Sequence, residues 1–216
     1  MGQKANPVGL RVGVNLPWRS RWFNEKGLFK ENLLEDIEIR KVLTEKLKMA
    51  GLTLVEIERL SKSIVIILTV SRPGMVIGRG GTGLEELKKE VLQILKRRRK
   101  NIPIDLKVDF KVQEVKNPEI SAQIVLGRII SDLERRIPHR RVVTKTIERV
   151  MASGALGVKV VLSGRIGGAE ISRREKFHLG SVPAQTLREE IDYAEAPAAL
   201  KRGYVGVKVY IHKKKE

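Results

Sequence analysis

Arg72-Pro73-Gly74-Met75-Val76-Ile77-Gly78-Arg79-Gly80-Gly81-Thr82-Gly83 is the stretch whose reading decides how this chain folds. Pro73 has the fixed φ that suits a first helical position, so Pro73–Ile77 predicts a short helix that the glycines stop. Beyond them Leu84, Leu87, Val91 and Ile94 recur at helical spacing and predict a long helix over Leu84–Leu95. The glycines therefore sit between two helices.

Three readings of the cluster are open. A phosphate-binding P-loop needs Lys and Ser or Thr after its last glycine, but Leu84-Glu85 follow Gly83, and Glu85-Glu86 would repel a triphosphate. The dinucleotide fingerprint G-x-G-x-x-G does match Gly78, Gly80 and Gly83, yet it wants its first glycine at the end of a strand, and a helix intervenes here. The third reading is a G-x-x-G loop, Gly78-Arg79-Gly80-Gly81, joining two helices. In KH domains such a loop clamps about four nucleotides by their backbone. Glycines let the main chain approach phosphates, helix N-terminal amides add donors, and Arg79 adds charge.

Working outward supports the KH reading. Ile39, Leu43, Leu47 and Ala50 predict a helix from about 29 to 50, with Gly51 as its stop. Leu52–Arg59 and Ile64–Val70 predict two strands joined by a turn at Ser61-Lys62-Ser63. Ile104, Leu106, Val108, Phe110 and Val112 alternate with charged residues and predict a strand with one buried face. The order over 29–112 is αββααβ, which resembles the prokaryotic-type KH domain. Lys96-Arg97-Arg98-Arg99-Lys100, at the end of the long helix, has more cations than a helix C-terminus needs.

A boundary is expected at about 113–117, dividing the chain into an irregular arm over 1–28, a KH domain over 29–115 and a C-terminal α+β domain over 116–216. Trp18 and Trp22 suggest that a partner orders the arm. Asn117-Pro118 reads as a helix N-cap with proline at the first helical position. Ala122, Leu126, Ile129 and Leu133 face inward on one helix, Pro138 breaks it, and a second helix over about 139–152 turns Val143, Ile147 and Val150 inward. The remainder predicts a mainly antiparallel sheet with strands at Val158–Leu162 and Val205–Ile211 and further strands within Ile166–Phe177 and Val182–Asp192. Gly154–Val160 and Gly203–Val209 are similar enough to suggest two like strands in one sheet.

On the second helix Arg141, Lys145 and Arg149 fall at i, i+4 and i+8, opposite the apolar side. Arg135, Arg136 and Arg140 continue the stripe around Pro138, and Glu148 is the only acid from 135 to 152. Such a stripe is the footprint of a nucleic-acid surface. The composition agrees: 43 Lys and Arg against 25 Asp and Glu leave a net charge of +18 on 216 residues. An excess of that size is commonly neutralised by a polyanion, while 42% hydrophobic residues suffice for a core. With no cysteine, disulfide, thiolate-metal and cysteine-nucleophile chemistry are excluded. His139, His178 and His212 lack ligand spacing. Neither a membrane span nor an apolar signal core is evident.

The chain resembles the bacterial form of protein three of the small ribosomal subunit. The resemblance rests on Gly2-Gln3-Lys4-Ala5-Asn6-Pro7-Val8-Gly9-Leu10-Arg11, on Arg72–Gly78, on Ser163-Gly164-Arg165-Ile166-Gly167-Gly168-Ala169-Glu170-Ile171, on Val182-Pro183 with Thr186-Leu187-Arg188 and Ile191-Asp192-Tyr193, and on Gly206-Val207-Lys208-Val209. It implies a non-enzymatic, ribosome-bound cytoplasmic protein of the subunit head, near the channel by which messenger RNA enters. The implied partners are small-subunit ribosomal RNA, messenger RNA and neighbouring ribosomal proteins, with no cofactor, small-molecule substrate or membrane. The helix beginning at Arg140 would face incoming messenger and help to unwind it, and Lys4, Arg11, Arg165 and Arg173 are further candidate RNA contacts. Thr144 stands where the resemblance leads one to expect another basic residue.

Overall fold

The β-branched run at Ile64–Leu68 lies in an inner strand of a four-stranded sheet, which explains why nearly all of it is apolar. The computed structural model describes residues 4–24, 26–60, 63–98 and 107–214. It divides into two units: Trp18–Lys116 is one, and the chain up to Pro17 together with Asn117 onward is the other. The expected arm is therefore not one element. Its first part, with the short helix α1 (Pro7–Arg11), belongs to the unit that contains the C-terminal half, and its second part begins the other unit with a short strand β1 (Ser20–Arg21).

In the Trp18–Lys116 unit, α2 (Lys26–Lys46) is followed by β2 (Leu52–Arg59), β3 (Ser63–Val70), α3 (Pro73–Ile77), α4 (Thr82–Arg98) and β4 (Lys107–Glu114). Sheet order is β1-β2-β3-β4, with β2 antiparallel to β3, and β1 and β4 parallel to their neighbours. Ile39, Leu43, Leu47 and Ala50 are all buried against Leu87, Val91, Ile94 and Leu95 of α4 and the sheet's Ile57, Ile66 and Leu68. Gly51, at φ +69°, closes the turn after α2 in the left-handed conformation that glycine adopts without strain. The expected strand is found at Val108, Phe110 and Val112, while Ile104 and Leu106, like Arg99-Lys100 and the turn residues Ser61-Lys62, lie outside the described residues.

A buried ion cluster fastens α2 to β2. Arg59 reaches Glu35 at 2.7 Å and Asp36 at 2.9 Å, and both carboxylates are fully buried. Trp22 explains part of the arm's aromatic content: its Nε1–H donates to Asp36 at 2.8 Å, its ring packs on Phe29, and the Arg59 guanidinium lies over it.

In the other unit, α5 (Ala122–Glu134) and α6 (His139–Ala152) pack on a sheet of β5 (Gly157–Gly164), β6 (Arg173–Gly180), β7 (Ile191–Leu200) and β8 (Gly203–His212), ordered β6-β5-β8-β7 and antiparallel throughout. Val143, Ile147 and Val150 meet Val158, Val160, Leu162, Val207 and Val209 in its core. The two similar segments are the neighbouring inner strands β5 and β8, with Val160 opposite Val209.

Three expectations differ from what is observed here. Asn117 does not cap a helix: Pro118–Ile120 form a 3-10 turn, α5 starts at Ala122, and the Ala122 amide donates to the Asp192 carboxylate of β7 at 3.1 Å. A side chain supplied by the sheet thus takes the capping role. The strand expected from Ile166–Phe177 is β6, which begins only at Arg173, after a 3-10 turn (Ile166–Gly168). Val182–Asp192 is largely irregular, and the strand lies at Ile191–Leu200, an edge position where Pro197 needs no ladder donor.

Candidate nucleic-acid interface

The glycine loop takes its shape from two close approaches and two open positions. A Cβ on Gly83 would stand 2.6 Å from the Val76 carbonyl oxygen, and one on Gly78 would stand 2.9 Å from the Gly83 amide, so these two glycines pack α3 against the start of α4. Gly80 (φ +64°) and Gly81 (φ +84°) have the opposite character: a Cβ on either would meet nothing within 4 Å. They are glycines for conformation, and they leave the main chain bare on its outer side. Arg79 and Gly80 are exposed, and Thr82 Oγ1 fastens the turn by donating to the Arg79 carbonyl at 3.0 Å. Glu85, in the first turn of α4, and Glu86 beside it are exposed. They already complement the helix dipole, which leaves Arg79 as the exposed cation of the loop. A whole helix also separates Gly78 from the end of β3 at Val70, which removes the strand–glycine junction of a dinucleotide site.

The second region is the outer face of α6. Val142, Val143, Thr146, Ile147 and Val150 are buried, while Arg140, Arg141, Lys145 and Arg149 are exposed. Thr144 is exposed on the same side, between Arg141 and Lys145. Arg135 and Arg136 are exposed at the corner before Pro138. Among the described residues none of these six cations enters an ion pair. Arg136 adopts φ +64°, a left-handed conformation usually left to glycine at a helix end. It closes α5 there, with its amide donating to the Leu133 carbonyl at 2.9 Å.

The four other candidates part company. Lys4, Arg165 and Arg173 are exposed, though Arg165 Nε donates to the Ala169 carbonyl at 2.9 Å and Arg173 Nε pairs with Glu175 at 2.9 Å. Arg11 is a correction. It is fully buried, and its guanidinium donates to the carbonyls of Pro7, Pro183, Ala184, Thr186 and Glu189 at 2.8–3.4 Å. Fully buried among these carbonyls, the guanidinium is closed to a phosphate. Arg11 instead fastens α1 to the irregular segment between β6 and β7.

Sequence reasoning also missed a cluster of cations. Lys159 points away from the helices, and its ammonium pKa is pushed down by burial first, and then by Lys4, Lys176 and Arg174 nearby. The signal was present in the alternation Val158-Lys159-Val160, but the neighbouring cations come from other strands.

Residues 38–120 match the KH domain family, and residues 129–211 match the family described as ribosomal protein S3, C-terminal domain. The chain is 46% identical to small ribosomal subunit protein uS3 of Clostridium novyi (strain NT), across 99% of this chain and 93% of the relative. It is 45% identical to the protein of the same name from Caldanaerobacter subterraneus subsp. tengcongensis, across 99% and 92%. To that of Desulfatibacillum aliphaticivorans it is 43% identical, across 99% and 93%.

Proposed function

The chain belongs to the family of small ribosomal subunit protein uS3, a structural, RNA-binding and non-enzymatic component of the ribosome, and from that premise we propose that it holds ribosomal RNA and also presents a basic surface to messenger RNA. Two sites divide the work. The loop Gly78-Arg79-Gly80-Gly81 clamps single-stranded RNA by its backbone, drawing on bare main chain and on Arg79. The outer face of α6, with Arg135, Arg136, Arg140, Arg141, Lys145 and Arg149, lines the channel by which messenger enters and disfavours paired messenger by attracting the backbone of separated strands. Lys4, Arg165 and Arg173 add contacts to ribosomal RNA. The site of action is the head of the small subunit in the cytoplasm, among neighbouring ribosomal proteins.

The observation that carries the messenger role is the exposed α6 stripe, whose cations outnumber its one exposed acid, Glu148, and form no ion pair among the described residues. A surface helix kept for solubility would intersperse both signs. Charge reversal at Arg140 and Arg141 tests it. Translation through a stable messenger hairpin is expected to slow several-fold more than translation through an unstructured message. Equal slowing of both messages would refute the unwinding role.

A further inference from the structure

The sheet of the C-terminal half has two faces, and α5 and α6 cover only one. On the covered side lie Val158, Val160 and Leu162 of β5, Val205, Val207, Val209 and Ile211 of β8, and Ala194 and Ala198 of β7. Strand alternation sends Lys159, Lys176, Arg174, Lys208, Tyr210 and Tyr193 to the other side. Register makes them neighbours: Lys159 stands between His178 and Tyr210, Tyr210 stands opposite Tyr193, and Val161 lies between Lys176 and Lys208.

The chemistry of this open face is lopsided. Arg174 and Lys176 are exposed, Lys4 lies near Lys159, and none of these four cations enters an ion pair among the described residues. Glu195 is the one acid among the described residues that the strands turn to this side, and it is already taken by Lys208 at 2.8 Å and by the Tyr193 hydroxyl. At the centre the Tyr193 and Tyr210 rings meet at 4.7 Å between centroids, and the Lys159 ammonium sits 5.6 Å from the Tyr210 centroid. Lys159 stands in the like-charged field of Lys4, Arg174 and Lys176, a field that a bound polyanion would neutralise.

We propose that this open sheet face is a third RNA-binding surface, in which Tyr210 offers its ring to a base and Lys4, Lys159, Arg174 and Lys176 neutralise the adjoining phosphates. The inference rests on reading the chain as an RNA-binding protein and adds a surface distinct from the glycine loop and from α6. Single-stranded RNA is favoured over an acidic protein because paired aromatic rings beside cations on an antiparallel sheet suit stacked bases and their backbone together, whereas an acidic protein would need the cations alone.

The test uses the full chain and a random-sequence single-stranded RNA of about 20 nucleotides, long enough for a site of this size. Arg174→Gln/Lys176→Gln changes two exposed residues and leaves the fold intact by circular dichroism. It is expected to weaken binding and to make the slope of log affinity against log salt shallower by about 1.4, at about 0.7 per lost phosphate contact. Tyr210→Ala is expected to weaken binding about tenfold with an unchanged slope, and ultraviolet crosslinking should place RNA on the peptide containing Tyr210. Gly80→Asp/Gly81→Asp is the control for the glycine loop. If that control weakens binding while the sheet variants keep wild-type affinity and slope, the third surface is refuted and the proposed function stands. If neither set of variants alters binding, both are refuted. Unaltered RNA binding with loss of a neighbouring protein from reconstituted subunits would assign the face to a protein and overturn the proposal.

Discussion

Arg11 shows how one residue can carry a charge that serves the fold. Its guanidinium donates to five carbonyl oxygens, and four of those belong to the irregular segment at 183–189. Arg11→Ala leaves those oxygens without a donor, so we expect a loss of about 3 kcal/mol in denaturant unfolding. Arg11→Lys should rescue little, because an ammonium lacks the planar fork that reaches several carbonyls at once. RNA affinity of the still-folded variant should stay within about twofold. A variant with native stability but weakened RNA binding would return Arg11 to the RNA-facing set. From the sequence Arg11 was one arginine in a glycine- and asparagine-rich segment, and four of its five partners lie 172 to 178 residues away. No local pattern announces a contact of that range.

At the scale of elements, the helices and strands around the glycine loop were legible because each carries its own period. Ile39, Leu43 and Leu47 mark one helix face, and Val108, Phe110 and Val112 mark one strand face. The edge strand β7 was not legible: Ala194, Ala196, Ala198 and Ala199 have little strand preference, and Pro197 reads as a breaker until its edge position is known. The α6 stripe was legible as consecutive helical positions, while the open sheet face was not, since its cations sit on different strands and meet only through register. The ion cluster at Arg59 yields an element-scale prediction. Arg59→Ala removes the guanidinium that pairs two fully buried carboxylates, Glu35 and Asp36, between α2 and β2. Unfolding of the Trp18–Lys116 unit should become easier by about 3–5 kcal/mol. Arg59→Met combined with Glu35→Gln and Asp36→Asn should recover a large part of that loss, because the buried groups then carry no charge. Equal stability of wild type and Arg59→Ala, by chemical denaturation, would contradict this account of how α2 is held.

For the whole molecule, the net charge of +18 on 216 residues first implies only a polyanion partner. The fold gives that charge three addresses: bare backbone with Arg79 at the glycine loop, the outer face of α6, and the open face of the C-terminal sheet. It also withdraws Arg11 from the reckoning. Membership of the uS3 family makes the polyanion ribosomal RNA, and the messenger role proposed for the exposed stripe on α6 is the part still to be tested. The most direct measurement is crosslinking from a messenger carrying photoreactive uridines downstream of the decoding site, bound to small subunits purified from the source organism. The account predicts messenger crosslinks on the peptide spanning Arg140 to Arg149, abolished by charge reversal at Arg140 and Arg141. Crosslinks confined to other proteins, with this chain present in the subunit, would contradict it.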